Sequence, residues 1–238
     1  MDSGAPAALL AHSYRALVVG ARGAIGAAFV EALQDDVHCH HVEAVSRAHN
    51  PGFDLLDAAS IAAQAAASAA NGPYHLIVDA TGALMLDGQG PEKSLAALQA
   101  DHLARAFQIN AIGPALVLRH FAPLLAPGAS IYAKLSARVG SIADNRKGGW
   151  YGYRASKAAL NMLLQTAAIE LQRKRPELRV VALQPGTVDS RLSQPFSAGV
   201  AQLLEPAESV AGMLAALSGL QARQGAHFVD YRGQEIPW

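Results

Sequence analysis

The stretch Ala16-Leu17-Val18-Val19-Gly20-Ala21-Arg22-Gly23-Ala24-Ile25-Gly26 decides the fold. Four aliphatic residues run into a turn that carries glycines at 20, 23 and 26, and a helix-forming segment follows to about residue 35. A strand that turns on glycine into a helix opens a βαβ unit. Its glycines let another group approach the backbone closely, and the first helical turn offers free N–H groups to an anion. Such a turn also serves ordinary helix–strand packing, so its weight comes from its place at the end of the first strand.

Working outward, the same alternation continues. Short aliphatic runs recur at Val42 to Val45, Leu76 to Val78, Ser130 to Leu135, Val180 to Leu183 and His227 to Val229. Between them lie alanine- and leucine-rich segments that read as helices over about 24–35, 58–70, 94–126, 154–174 and 206–220. The fourth ends in Arg173-Lys174-Arg175 before Pro176, and the last opens at Glu205-Pro206. Runs that are apolar on both faces belong to a parallel sheet covered on both sides. The expected fold is therefore α/β, a single doubly wound parallel sheet with helices on both faces.

With 238 residues, no internal repeat and no linker-like stretch, one domain is expected over 14–238, preceded by a loose tail over 1–13. Lys+Arg and Asp+Glu both number 19, which argues against a surface built for nucleic acid. The apolar share of 51% excludes disorder of the whole chain. No apolar run reaches the roughly 18–20 residues that span a bilayer, and the first fifteen residues make a poor secretory signal. One cysteine, Cys39, allows no intrachain disulfide and fits a reducing, cytoplasmic setting. His38, His40 and His41 flank it without a closed tetrahedral set, so no metal is expected.

The chemistry-bearing pair is Tyr153 and Lys157 in Gly152-Tyr153-Arg154-Ala155-Ser156-Lys157. Four residues apart at the start of a predicted helix, they share one face. A nearby ammonium favours the phenolate and brings a tyrosine toward acid–base duty. By spacing alone, an exposed Tyr/Lys pair on an ordinary helix is the competing reading.

Taken in order, these motifs resemble the short-chain dehydrogenase/reductase superfamily over nearly the whole chain. The resemblance implies a Rossmann-type fold and a set of roles. Gly20, Arg22, Gly23, Ala24, Ile25 and Gly26 would form the dinucleotide turn, with Ala24 where the middle glycine is usual. Asp54 in Phe53-Asp54-Leu55 would meet the adenine amino group. Asp79-Ala80-Thr81-Gly82 resembles the family's Asn-Asn-Ala-Gly turn with its first two residues altered, so Ala80, Thr81 and Gly82 join the cofactor set. Asn110, ahead of Gly113-Pro114, would be the asparagine of the catalytic tetrad and would position a relay water. Tyr153 would exchange the proton, while Lys157 would hold the ribose and lower the phenol pKa. Pro185, Gly186, Val188 and Ser190 would contact the nicotinamide end. The stretches around 140–161, 185–196 and 230–238 resemble the subgroup of Sniffer-type carbonyl reductases and the bacterial C-factor signalling protein. Relatives usually associate through the helices that hold Asn110 and Tyr153, which implies a homodimer or homotetramer.

One departure and one sign of cofactor choice follow. The family serine, three residues before a glycine, aligns with Ala137 in Leu135-Ser136-Ala137-Arg138-Val139-Gly140-Ser141. Ser136 is the favoured substitute, Ser141 the other, and a structural hydroxyl at the strand end is the competing reading. The second strand ends in Ser46-Arg47, where a carboxylate would bind the ribose of NAD. A guanidinium there suits the 2′-phosphate of NADP. With Arg22 as a second contact, NADP(H) is expected in preference to NADH. Trp150, Tyr151 and Phe196 are core aromatics or a substrate wall, and the segment from about Leu192 to Leu204 is expected to be a lid.

The expected activity is hydride transfer between nicotinamide and a small carbonyl or alcohol substrate, with neither nucleic acid nor membrane as partner. A dinucleotide-binding signalling or regulatory protein with little turnover is the alternative. A sugar-nucleotide epimerase is disfavoured by the short region after the Val180–Leu183 strand. A methyltransferase is disfavoured by the Tyr153/Lys157 pair.

Overall fold

The structure, a computed structural model, describes residues 13–189 and 203–238. Among the described residues six strands and six α-helices follow in the order β1 (Tyr14–Val19), α1 (Ala24–Gln34), β2 (Cys39–Val45), α2 (Ala58–Ser68), β3 (Leu76–Asp79), α3 (Ala100–Phe107), α4 (Gly113–Phe121), β4 (Ser130–Leu135), α5 (Tyr151–Gln172), β5 (Leu178–Gln184), α6 (Pro206–Gly219) and β6 (His227–Asp230). All strand pairs are parallel, in the order β2-β1-β3-β4-β5-β6. This is the doubly wound sheet expected from the apolar runs.

Strand periodicity sorts the core onto two faces. Leu17, Val19, Ile77, Tyr132, Val180 and Ala182 pack with Ile61 of α2, Phe121 of α4 and Leu160 and Leu164 of α5. Ala16, Val18, Val78, Ala133, Val181 and Val229 pack with Phe29 and Leu33 of α1 and Val210, Met213 and Leu217 of α6. Burying each large aliphatic side chain contributes roughly 1.5–3 kcal/mol, so both faces anchor the sheet. From β1 the chain moves one way to β2 and then crosses back to β3 on the other side. The crevice at the carboxyl ends of β1 and β3 is the topological switch point, where open α/β sheets bind ligands.

One helix differs from its expected extent. The segment read as continuous over 94–126 is a 3-10 turn at Leu95–Ala97, then α3, then a π-helical turn at Gln108–Ile112, then α4. Pro114 has no N–H to give the Asn110 carbonyl four residues back, and the Gly113 N–H reaches Gln108 O, five residues back. The extra residue turns Asn110 inward, where it is fully buried. Residues 1–12 of the expected tail and Ser190, together with Phe196 and most of the expected lid, lie outside the described residues. Among the described residues no helix is long and apolar enough to cross a membrane.

Candidate active site

The switch point opens into a cleft of about 530 Å³. Gly20, Arg22, Gly23, Ser46, Arg47, Asp54, Ala80, Thr81 and Gly82 all line it. Gly20 turns with φ 85°, and a Cβ on Gly26 would lie 2.2 Å from Gly20 O. The first turn of α1 (Ala24, Ile25, Gly26) therefore presses against the turn itself, and only glycine fits at 26. Gly23 caps α1 without using a side chain, which leaves the early N–H groups facing outward for an anion.

Arg22 and Arg47 are exposed at the mouth of this cleft. Among the described residues neither makes a hydrogen bond or an ion pair. Ser46 is buried, and its hydroxyl is shared with His49 Nδ1 at 2.9 Å. Glu43, too early for a ribose contact, binds Ser68, Asn71 and Tyr74 on the far side of β2. Asp54 lines the same cleft, is exposed, and accepts Leu56 N at 3.0 Å. Arg105 and Ile109, on the α3–π segment, also line the cleft. Sequence reading missed both because a helix of unknown facing gives no clue to which residues look into a crevice.

Gly82 joins the cleft to the acid–base pair. A Cβ there would lie 3.1 Å from Asn110 Oδ1 and 3.5 Å from Lys157 Nζ. The Asn110 amide is clamped on Ala83, accepting from its N and donating to its O, both at 2.8 Å. Lys157 Nζ donates to Leu135 O at 3.1 Å and sits 5.7 Å from the Tyr153 ring centroid. Tyr153 is half-buried, and the Trp150 ring meets it edge-on at 6.2 Å. Pro185, Gly186 and Val188 follow β5 at the same edge of the sheet. Gly186 turns with φ 79°, and its N–H is held by Gln184 Oε1 at 2.8 Å.

The charges differ from expectation in the chain alone. Burial pushes the Tyr153 phenol up to about 12. Burial also pushes the Lys157 amine down to about 7, helped by Lys134 and opposed by Asp79. Desolvation penalises both charged forms, so the expected lowering of the phenol by a full ammonium is not met here. Both groups are raised in energy when charged, which primes them for a partner that brings compensating contacts.

The structure brings Tyr153, Lys157 and Asn110 together, but not the hydroxyl of Ser136. Ser136 is buried and donates to Asn161 Oδ1 at 2.6 Å, two helical turns beyond Tyr153 on α5. The Ser141 hydroxyl donates to Pro237 O and accepts Asp144 N. Sequence reading also missed Glu92. This buried carboxylate from the loop before α3 accepts Gly152 N at 2.9 Å, one residue from Tyr153.

A parallel sheet with a glycine cradle at its switch point and a Tyr/Lys pair beside it defines a dinucleotide-dependent class of protein. The family model described as enoyl-(acyl carrier protein) reductase matches residues 21–216, and the chain belongs to the short-chain dehydrogenase/reductase family of oxidoreductases. It is 41% identical to the C-signal of Myxococcus xanthus over 138 residues, 57% of this chain and 78% of that protein. It is 30% identical over 189 residues to a 1-hydroxy-2-glutathionyl-2-methyl-3-butene dehydrogenase of Rhodococcus sp. (strain AD45), 79% of each chain. A short-chain dehydrogenase/reductase of Burkholderia multivorans, crystallised with bound NADP, superposes with a TM-score of 0.75 at 25% identity, covering 95% of this chain and 100% of that one. An NADPH-bound carbonyl reductase from chicken fatty liver shares the fold, with a TM-score of 0.79 at 24% identity over 95% of each chain.

Proposed function

We propose that this protein is an NADP(H)-dependent reductase acting between a carbonyl and its alcohol, with Tyr153 as the proton donor and acceptor. The observation that carries the reading is Gly82, which lines the cleft at a point where a single added carbon would meet both Asn110 and Lys157. A ligand seated along the cleft thereby ends at the acid–base pair. The cleft suits a dinucleotide: Gly20 and Gly23 line it without side chains, and Arg22 and Arg47, without partners among the described residues, offer two guanidinium groups to a 2′-phosphate. When bound, the reduced nicotinamide supplies the hydride.

The chain's own residues do the rest. The Tyr153 hydroxyl gives its proton to the oxygen of the carbonyl as negative charge gathers there. Lys157 stabilises the phenolate left behind and grips ribose hydroxyls, contacts that offset the cost of its buried charge. Asn110, locked on Ala83, holds the π turn open and positions a relay water. Arg47 and Arg22 favour NADPH over NADH. Ser136 would serve as a second donor only by exchanging its bond to Asn161. Assembly as a homodimer or homotetramer is part of the same reading, supported by exposed Ile112, Met162, Leu163 and Ile169 around α4 and α5.

The commitment of the Ser136 hydroxyl to Asn161, with Ala137 beside it, favours one second reading: a dinucleotide-binding signalling or regulatory protein. An NADPH-oxidation screen against aldehydes, ketones and quinones, run beside NADPH-binding measurements, separates the two. Turnover that Tyr153→Phe abolishes while leaving NADPH affinity near wild type supports the reductase. Tight NADPH binding with no turnover across the screen supports the regulator. Turnover retained in Tyr153→Phe refutes the proton role.

A further inference from the structure

Beneath the site lies a pair of charges that the reaction outlined above does not use. Asp79 and Lys134 are directly paired across β3 and β4, and neither side chain is accessible to solvent. Lys134 Nζ donates to Asp79 Oδ1 at 3.1 Å and Asp79 O at 3.2 Å, and to Thr81 O at 2.6 Å and Thr81 Oγ1 at 3.2 Å. Asp79 Oδ1 also accepts Thr81 N at 2.9 Å and Thr81 Oγ1 at 2.6 Å. Burying two charges is costly, and apolar residues of similar volume often serve stability as well or better. A buried ion pair whose hydrogen bonds hold the Asp79–Thr81 turn at the cleft therefore suggests a task beyond stability.

We propose that Lys134 is a positioning residue: with Asp79 it fixes the Thr81–Gly82 turn against Asn110 and Lys157, and its charge governs whether the Lys157 amine carries its own. The two amines approach the same turn at successive residues. Lys134 Nζ donates to Thr81 O, while Lys157 Nζ lies 3.5 Å from where a Cβ on the next residue, Gly82, would sit and donates to the carbonyl of Leu135, the residue after Lys134. The titratable groups facing Lys157 are Tyr153 on its own helix, Lys134 from β4 and Asp79 from β3. The 3-10 turn Arg138–Gly140 packs on the Lys157 side chain but sends its guanidinium to Asp144 and Asp230. Lys134 thus adds a like charge beside a desolvated amine, and the depression of Lys157 to about 7 agrees in sign. The consequence for turnover rests on the reductase reading; the effect on the Lys157 charge does not.

The test uses the full chain with 13C-labelled lysine. It has five lysines, and the Lys157 Cε resonance is assigned by its disappearance in Lys157→Met. Titration in the absence of cofactor then reports the amine directly. In Lys134→Met the Lys157 midpoint is expected to rise by roughly one pH unit, the effect of one nearby charge. In Lys134→Arg, which keeps the charge, it is expected to stay. If Lys134→Met fails to fold, Asp79→Asn/Lys134→Met leaves no unpaired buried ion, and a smaller rise is expected because the removed cation outweighs the removed anion. An unmoved or lowered midpoint in the charge-removing variants overturns the proposal, as does an equal shift in Lys134→Arg. If the midpoint rises while the pH dependence of turnover does not follow, the role given to Lys157 in the reaction fails and the charge coupling stands.

Discussion

Replacing Glu92 by alanine tests how the helix that carries Tyr153 is held. That helix has no cap of its own. Its N-cap residue is Trp150, in the left-handed region at φ 54° and ψ 44°, with no capping side-chain bond. A bulky residue rarely adopts that conformation. The carboxylate that does the capping comes from 60 residues away: Glu92 Oε2 accepts Gly152 N at 2.9 Å, and Glu92 O accepts Trp150 N. Gly152 is the second residue of the helix, the position an N-cap side chain normally serves. Removing the carboxylate leaves a buried N–H without a partner, a loss of about 1–3 kcal/mol, and takes a negative charge from the helix N-terminus, a further 0.3–1 kcal/mol or so. A central figure of about 2 kcal/mol, at roughly 2–4 °C per kcal/mol for a chain of this size, lowers Tm by about 4–8 °C. Glu92→Gln keeps an acceptor and should lose less than half as much. The assay is thermal unfolding of the cofactor-free protein, followed by kcat for the best substrate of the screen. The kcat should fall more than NADPH affinity, because Tyr153 is the next residue on the loosened turn. A Tm for Glu92→Ala within about 1 °C of wild type would refute this account of the helix start.

Arg47→Asp is expected to weaken NADPH binding by loss of a charge-assisted phosphate contact, on the order of 1.5–3 kcal/mol or roughly 10- to 150-fold, and to bring NADH forward. Fluorescence titration with both cofactors checks it, and equal affinities in the unmodified protein would defeat it. Gly26→Ala forces a Cβ to within 2.2 Å of Gly20 O, so the turn must move. We expect stability to drop by about 1–3 kcal/mol in denaturant melts and NADPH binding to be lost; a Gly26→Ala variant that binds NADPH like wild type would show that the cradle is not the binding turn.

The sheet was legible in the sequence because most of its strands are apolar runs that must be buried on both faces, and all six runs became strands, the partly exposed edge strand β2 among them. Tyr153, Lys157 and the glycine turn were legible because their spacing is local: four residues for the pair, six for Gly20 and Gly26. Glu92 and Lys134 were not, for the opposite reason. Each acts on a partner 55 or 60 residues away, and nothing in a local window distinguishes a buried lysine in an apolar strand from an edge residue. The start of α5 shows the same limit. The sequence reads this helix from about residue 154. It begins at Tyr151 because Glu92 supplies the cap from another loop.

The position of Ser136 follows from strand geometry. Along β4, Ile131, Ala133 and Leu135 pack with α1 and α6, while Tyr132 packs with α5. Lys134 and Ser136 continue the parity of Tyr132. The ladder does not break at its end: Ser136 N still donates to Leu183 O at 2.8 Å, and Ala137 is still extended at φ −154° and ψ 142°. No bulge intervenes to bring 136 and 137 onto one side. The Ser136 hydroxyl therefore meets Asn161 on the inner face of α5, and the family's serine position, occupied by Ala137, faces the other way with only a methyl. Loss of one preorganised donor at a developing oxyanion typically costs 10²–10³ in rate. A reductase with this strand end leans on the Tyr153 phenol alone or draws Ser136 away from Asn161. The Lys157 charge, tied through Lys134 and Asp79 to the cofactor-side turn, accordingly matters more here than where a serine shares the load.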